Sequence, residues 1–194
     1  MPSADLTPGA PPHAPVAVIL PGSGYTILGP LLYWSARLLE QGGWRVRAVE
    51  WDPNDLKSDD PQGFIEAEVE AAFAAAPPTG TRLVLAKSLG TFAAPWALAN
   101  NIAGVWLTPV LSVPAVSTAL RDHATDRDLV VGGTADPLWR PETIVGTAAT
   151  VLEMPRADHA LVVPGDHVAS RMLHEHVFDA VERHLAGVRN PRER

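Results

Sequence analysis

The stretch that most constrains this chain is Leu83-Val84-Leu85-Ala86-Lys87-Ser88-Leu89-Gly90-Thr91. Leu83, Val84 and Leu85 form a short apolar run of the kind that suits a strand buried on both faces. From Leu89 the pattern turns helical and rich in alanine and leucine, so Ser88 stands at the junction. A chain that passes from strand to helix over so few residues is crowded. Ala86 and Gly90, two positions either side of the serine, are small enough to relieve the crowding. Such a turn lifts the Ser88 hydroxyl above the carboxyl end of the sheet and brings the N–H of Leu89 to the same space, at a helix N-terminus.

The rest of the chain supplies the sheet. Val16 to Leu20 reads as the first strand and runs into Pro21-Gly22-Ser23-Gly24-Tyr25. Two glycines after a buried strand allow a tight backbone, but their spacing is neither a dinucleotide fingerprint nor a P-loop. The expected reading is a loop whose amides face the same crevice as Ser88. A helix follows through Leu31, Leu32, Leu38 and Leu39 to the stop at Gly42-Gly43. Trp44 to Val49 alternates, which predicts a strand at the sheet edge. Residues 52–62 are expected as a polar loop, and Phe64 to Ala76 as a helix stopped by Pro77-Pro78. Beyond the serine turn come a helix from Leu89 to about Asn100, a strand from Val105 to Thr108 and a short helix over 112–122. Asp128 to Val131 is the fifth strand, Glu142 to Ala149 a helix and Thr150 to Met154 the sixth strand. Residues 168–186 form a closing amphipathic helix. About six strands alternating with helices predict a parallel sheet covered on both faces, an α/β three-layer α/β/α sandwich.

Ser23, Ser88, Asp136 and His159 all fall just after strands, so this architecture gathers them at one end of the sheet. That convergence matters because a serine hydroxyl is a poor nucleophile at neutral pH. It needs a base within hydrogen-bonding reach, and the base needs an orienting carboxylate. The chain order Ser88, Asp136, His159 provides these three groups, with the Leu89 and Ser23 amides as the expected oxyanion donors. Plainer readings stand beside this one. Asp136 precedes Pro137 and suits a simple turn, and Asp158-His159 suits a solvated loop. His167, in Pro164-Gly165-Asp166-His167, is the rival histidine, and Asp158 is expected to cap or tether the His159 loop. A Ser-Lys pair through Lys87 is disfavoured, because adjacent residues on such a turn point apart. Tyr25 and Trp139 are the aromatic residues expected to line a substrate site. His174 and His176, two apart on a helix, do not share a face and make a poor metal pair.

Ala86-Lys87-Ser88-Leu89-Gly90, the Pro21-Gly22-Ser23 loop, Gly133-Thr134-Ala135-Asp136-Pro137 and Asp158-His159 together resemble a small, lidless α/β-hydrolase. The resemblance spans Val16 to Leu185. It implies a minimal α/β-hydrolase fold without a large cap, and a serine hydrolase that cleaves a small ester or thioester through an acyl-enzyme with no cofactor. Three departures accompany it. Ala86 replaces the first glycine of the small-x-Ser-x-Gly turn, Pro21 stands where many members have histidine, and the opening antiparallel strands are expected to be missing. The alternative is a non-catalytic binding or scaffolding protein that keeps the fold.

Bulk composition bounds the remaining classes. The 194 residues fit one domain, expected over 16–187, with a disordered Pro-rich lead-in over 1–15 and a frayed tail over 188–194. The net charge of −7 and the lack of a basic patch argue against a nucleic-acid partner and leave a small-molecule substrate. No run approaches the length of a membrane span, and residues 1–15 lack a signal-peptide pattern. There is no cysteine, which removes disulfides and thiolate chemistry and fits a cytoplasmic protein. No metal site is expected, and the oligomeric state is left open.

Overall fold

Residues 3–51 and 60–189 are described by the computed structural model. Six of its strands run parallel: Val16–Leu20 (β2), Arg45–Ala48 (β3), Arg82–Lys87 (β4), Ala103–Leu107 (β5), Asp128–Gly133 (β6) and Thr150–Met154 (β7). A two-residue strand, Ala4–Asp5 (β1), pairs antiparallel with β3. The spatial order is β1-β3-β2-β4-β5-β6-β7. Among the described residues five α-helices accompany the sheet: Pro30–Gln41 (α1), Pro61–Ala74 (α2), Ala94–Ala99 (α3), Pro114–Asp122 (α4) and His167–Arg189 (α5). Pro30, Pro61 and Pro114 each open a helix, where the N–H they lack has no intrahelical partner anyway.

The period of two along the strands splits the core into two layers. Ala17, Ile19, Leu83, Leu85, Val105 and Leu107 meet Leu31, Leu32 and Leu39 of α1 and Val177, Val181 and Leu185 of α5. Val18, Leu20, Val84, Trp106 and Val130 meet Ile65 and Val69 of α2, Ala97 of α3, and Val116 and Leu120 of α4. Each fully buried Leu, Ile or Val contributes about 1.5–3 kcal/mol of burial. The layers therefore hold the sheet from both sides, as alternating strands and helices predict. Helix α4, within the one long segment after β5, packs against the sheet rather than standing over its carboxyl end. Among the described residues no segment forms a large cap.

The chain order places the functional end. From β2 the chain crosses through α1 to β3 on one side, then through α2 to β4 on the other. The crevice outside the carboxyl ends of β2 and β4 is thus the switch point where open α/β sheets bind ligands.

Several expectations are corrected. Residues 3–15 are not a disordered lead-in. Asp5 Oδ2 accepts from Arg45 Nη1 at 2.8 Å, the Ser3 carbonyl accepts from Arg47 Nη2, and Thr7 Oγ1 accepts from the Val46 N–H. β3 is accordingly not the edge. Its alternation arises because Arg45 and Arg47 are buried under this segment, and β1 supplies a two-residue antiparallel edge. Only Pro141–Ile144 is helical, as a single 3-10 turn, in the region expected as a helix over 142–149; Gly146, at φ 88°, ends it. The helix expected from Leu89 begins as a 3-10 segment, Ser88–Ala93, before α3. Helix α5 runs to Arg189 with Val188 in the core, so residues 188–189 belong to the domain. The polar loop expected over 52–62 lies largely outside the described residues, and so does the tail from 190.

Candidate active site

Strand β4 ends at Lys87, and the chain turns at Ser88 with φ 52°, in the left-handed region that a non-glycine residue rarely adopts. The turn is held against the loop after β2, where the Gly90 N–H donates to the Pro21 carbonyl at 3.0 Å. A Cβ on Gly90 would lie 2.7 Å from the Leu20 carbonyl oxygen and 2.8 Å from the Pro21 carbonyl oxygen, so this position requires glycine. Ala86, by contrast, is fully buried at the strand end, and its methyl group is accommodated.

Two loops, after β6 and β7, deliver their side chains to this turn. His159 Nε2 lies 2.7 Å from Ser88 Oγ, and His159 Nδ1 lies 2.7 Å from Asp136 Oδ2. A carboxylate only accepts, so Nδ1 carries the proton and Nε2 is left to accept from the serine hydroxyl. The Asp136 side chain is fully buried, whereas that of His159 is 32% exposed and open to an incoming molecule. Asp136 Oδ1 accepts from the Leu138 N–H at 2.9 Å, which fixes the carboxylate plane. The loop after β6 is tied to the loop after β7 by the Ala135 N–H donating to the Ala157 carbonyl. Asp158 shapes the histidine turn as expected, accepting from the Ala160 and Val162 N–H groups at 2.8 and 3.1 Å.

Gly22 sits between Ser88 and Tyr25, and a Cβ there would be 3.3 Å from the Cβ of each. The Gly22 N–H donates to the Tyr25 carbonyl, and Trp51 Nε1 donates to the Gly22 carbonyl at 3.1 Å. Neither the Ser23 N–H nor the Leu89 N–H takes part in these bonds. Ser23 itself is exposed and Leu89 half-buried.

Lys87, set aside as a partner of Ser88, occupies a place that sequence reasoning missed. Its side chain is 2% exposed, and Nζ donates to the His159 carbonyl at 3.0 Å and to Thr108 Oγ1 at 3.2 Å. Nζ also stands 4.6 Å from the centroid of the Tyr25 ring. Burial pushes the Lys87 ammonium down to about 8, opposed by the negative charges of Asp136 and Asp158. The one signal in the sequence is a lysine closing an otherwise apolar strand. Tyr25 is half-buried; burial raises its phenol pKa, against the Leu31 N–H that its hydroxyl oxygen accepts.

One expected position resolves differently, and the rival histidine stands apart from the site. Trp139 does not line an open site. It is 7% exposed and lies on Gly132, and its Nε1–H donates to Glu153 Oε2 at 2.8 Å. It therefore anchors the Asp136 turn to β7. His167 is exposed at the start of α5 and has no bond to the Ser88–His159–Asp136 chain. No group of three or more acidic or histidine side chains among the described residues could hold a metal ion.

Known structures repeat this architecture. Est1E from Butyrivibrio proteoclasticus matches with a TM-score of 0.69 and 14% identity over 94% of this chain and 93% of that one. Dienelactone hydrolase from Anabaena variabilis matches with a TM-score of 0.62 and 16% identity over 91% and 94%. The esterase Pf2001 from Pyrococcus furiosus matches with a TM-score of 0.60 and 14% identity over 90% and 83%. No family model matches the sequence, and no curated protein does. The chain has the α/β-hydrolase fold, and its sheet is a minimal version of that fold without a large cap.

Proposed function

We propose that the protein is a serine hydrolase that cleaves a small ester or thioester through an acyl-enzyme. The observation that carries this reading is the pair of 2.7 Å contacts linking Ser88 Oγ, His159 and Asp136. Ser88 Oγ attacks the acyl carbon while His159 Nε2 takes the hydroxyl proton. Asp136 holds the tautomer and stabilises the imidazolium. The tetrahedral oxyanion is met by the N–H groups of Leu89 and Ser23. Collapse of that intermediate expels the alcohol or thiol, which takes the proton from His159. Water then attacks the acyl-serine with the same base, and the acid leaves with Ser88 regenerated.

The fold neighbours support the reading, since they include esterases and a dienelactone hydrolase. The exposed face of His159 and the absence of a large cap among the described residues favour short acyl groups or acyl groups carried on a larger molecule. The test is hydrolysis of p-nitrophenyl acetate, butyrate and octanoate by the wild type and Ser88→Ala, with fluorophosphonate labelling of both. Wild-type turnover and labelling that both vanish in Ser88→Ala are expected. A folded wild type that neither turns over any ester nor takes the label would make the protein a binder on a hydrolase frame.

A further inference from the structure

We propose that Lys87 is a positioning residue for this site: its ammonium group clamps the main chain of His159 and so sets the imidazole against Ser88. The inference rests on the hydrolase reading above. An ammonium has three donors. Two of them are used on the His159 carbonyl and Thr108 Oγ1, and the Tyr25 ring covers the remaining side of the cation. None of these contacts is with Ser88, so Lys87 acts through the histidine loop. The clamp joins the loop after β2, the end of β4, the residue after β5 and the loop after β7.

Two features set the contact apart from ordinary packing. Burying an ammonium is costly unless it is paired, and an aliphatic side chain would fill the same space without that cost. Thr108, which offers its hydroxyl to Lys87, has φ 44°, and a β-branched residue in that region is a true outlier. Strain of this kind persists where surrounding contacts hold it and gathers at functional sites. The titratable groups that face Lys87 are Asp136, Asp158, His159 and Tyr25. Asp136 and Asp158 favour the charged amine, while burial opposes it, so the ammonium loses its proton at about pH 8. Above that pH the clamp weakens from a charge-assisted bond to that of a neutral amine.

The experiment compares wild type, Ser88→Ala and Lys87→Met. Wild-type kcat for p-nitrophenyl acetate is expected to fall above about pH 8. Lys87→Met is expected to fold, to lose about 10- to 100-fold in kcat with little change in KM, and to lose that falling limb. A folded Lys87→Met with wild-type kcat and pH profile overturns the proposal. A readout independent of turnover is the ring-proton resonance of His159, assigned by its loss in His159→Ala. In wild type and in Ser88→Ala this resonance is expected to show an inflection near pH 8, and its absence in both overturns the clamp even if no ester is hydrolysed. Its presence in a protein that turns over no ester and takes no fluorophosphonate label would sink the hydrolase reading alone. If Lys87→Met does not fold, Lys87→Gln takes its place and is read by the same loss of the inflection.

Discussion

At the scale of single residues, the site depends on a few groups whose positions leave little freedom. His159 bridges Ser88 and Asp136, while His167, eight residues on, is exposed on another element. His159→Ala is therefore expected to lower kcat/KM by about 10^3-fold or more, and His167→Ala to leave it within about twofold. Comparing the two variants on one ester checks this, and the reverse pattern would move the base to His167. Asp136→Asn keeps the shape of the buried side chain but gives Nδ1 a partner that can donate as well as accept. Its kcat should drop by about 10^4-fold with the melting temperature held near wild type. The convergence of Ser88, Asp136 and His159 was legible in the sequence because each lies on the turn or loop that follows a strand. Lys87 was not, since its partners Thr108, Tyr25 and His159 meet it only through the tertiary fold. Trp139 misled for a related reason: it stands near Asp136 in sequence, but the missing side chain of Gly132 draws it into the core.

At the scale of elements, the bounds of β2 and β7 were readable to the residue, because apolar runs between turn signals leave few alternatives. The edge was not readable. β1 is two residues long and has no period of its own. It exists because Arg45 and Arg47, on a strand otherwise given to the core, need acceptors, and Asp5, Ser3 and Ala10 provide them. Asp5→Ala removes the one carboxylate from this group and leaves Arg45, 8% exposed, with the Ala10 carbonyl as its acceptor. The expected cost is about 1–2 kcal/mol, below that of a fully buried pair because the Asp5 side chain is 25% exposed. Urea unfolding measures it. A midpoint equal to wild type would mean that β1 contributes nothing to the edge.

At the scale of the whole molecule, one buried proton links stability to pH. The Lys87 ammonium titrates at about 8 in the folded chain, lowered by burial from its ordinary 10.5. Between these values the unfolded chain binds the proton and the folded chain does not, so stability rises with pH. Below about pH 8 the burial of the charge weighs fully against folding, by about 3 kcal/mol in all for this lowering. Wild type is therefore expected to gain stability over Lys87→Met from pH 8 to pH 10, the range in which its activity is expected to fall. Urea midpoints for both proteins across that range check the sign; parallel curves would remove Lys87 from the linkage.

The strand register carries a practical consequence. Leu20 pairs with Ala86, Lys87 with Leu107, Leu107 with Val131, and Gly133 with Met154, so the strands finish nearly level and every group of the site projects from that one end. The opposite end, where β2 and β4 begin, contributes none of them. Gly80 lies there, exposed and with no atom within 4 Å of where a Cβ would stand. A fluorescent protein or an affinity peptide grafted into that turn would hang from the far side of the molecule, leaving Ser88, His159 and the approach to them open to solvent.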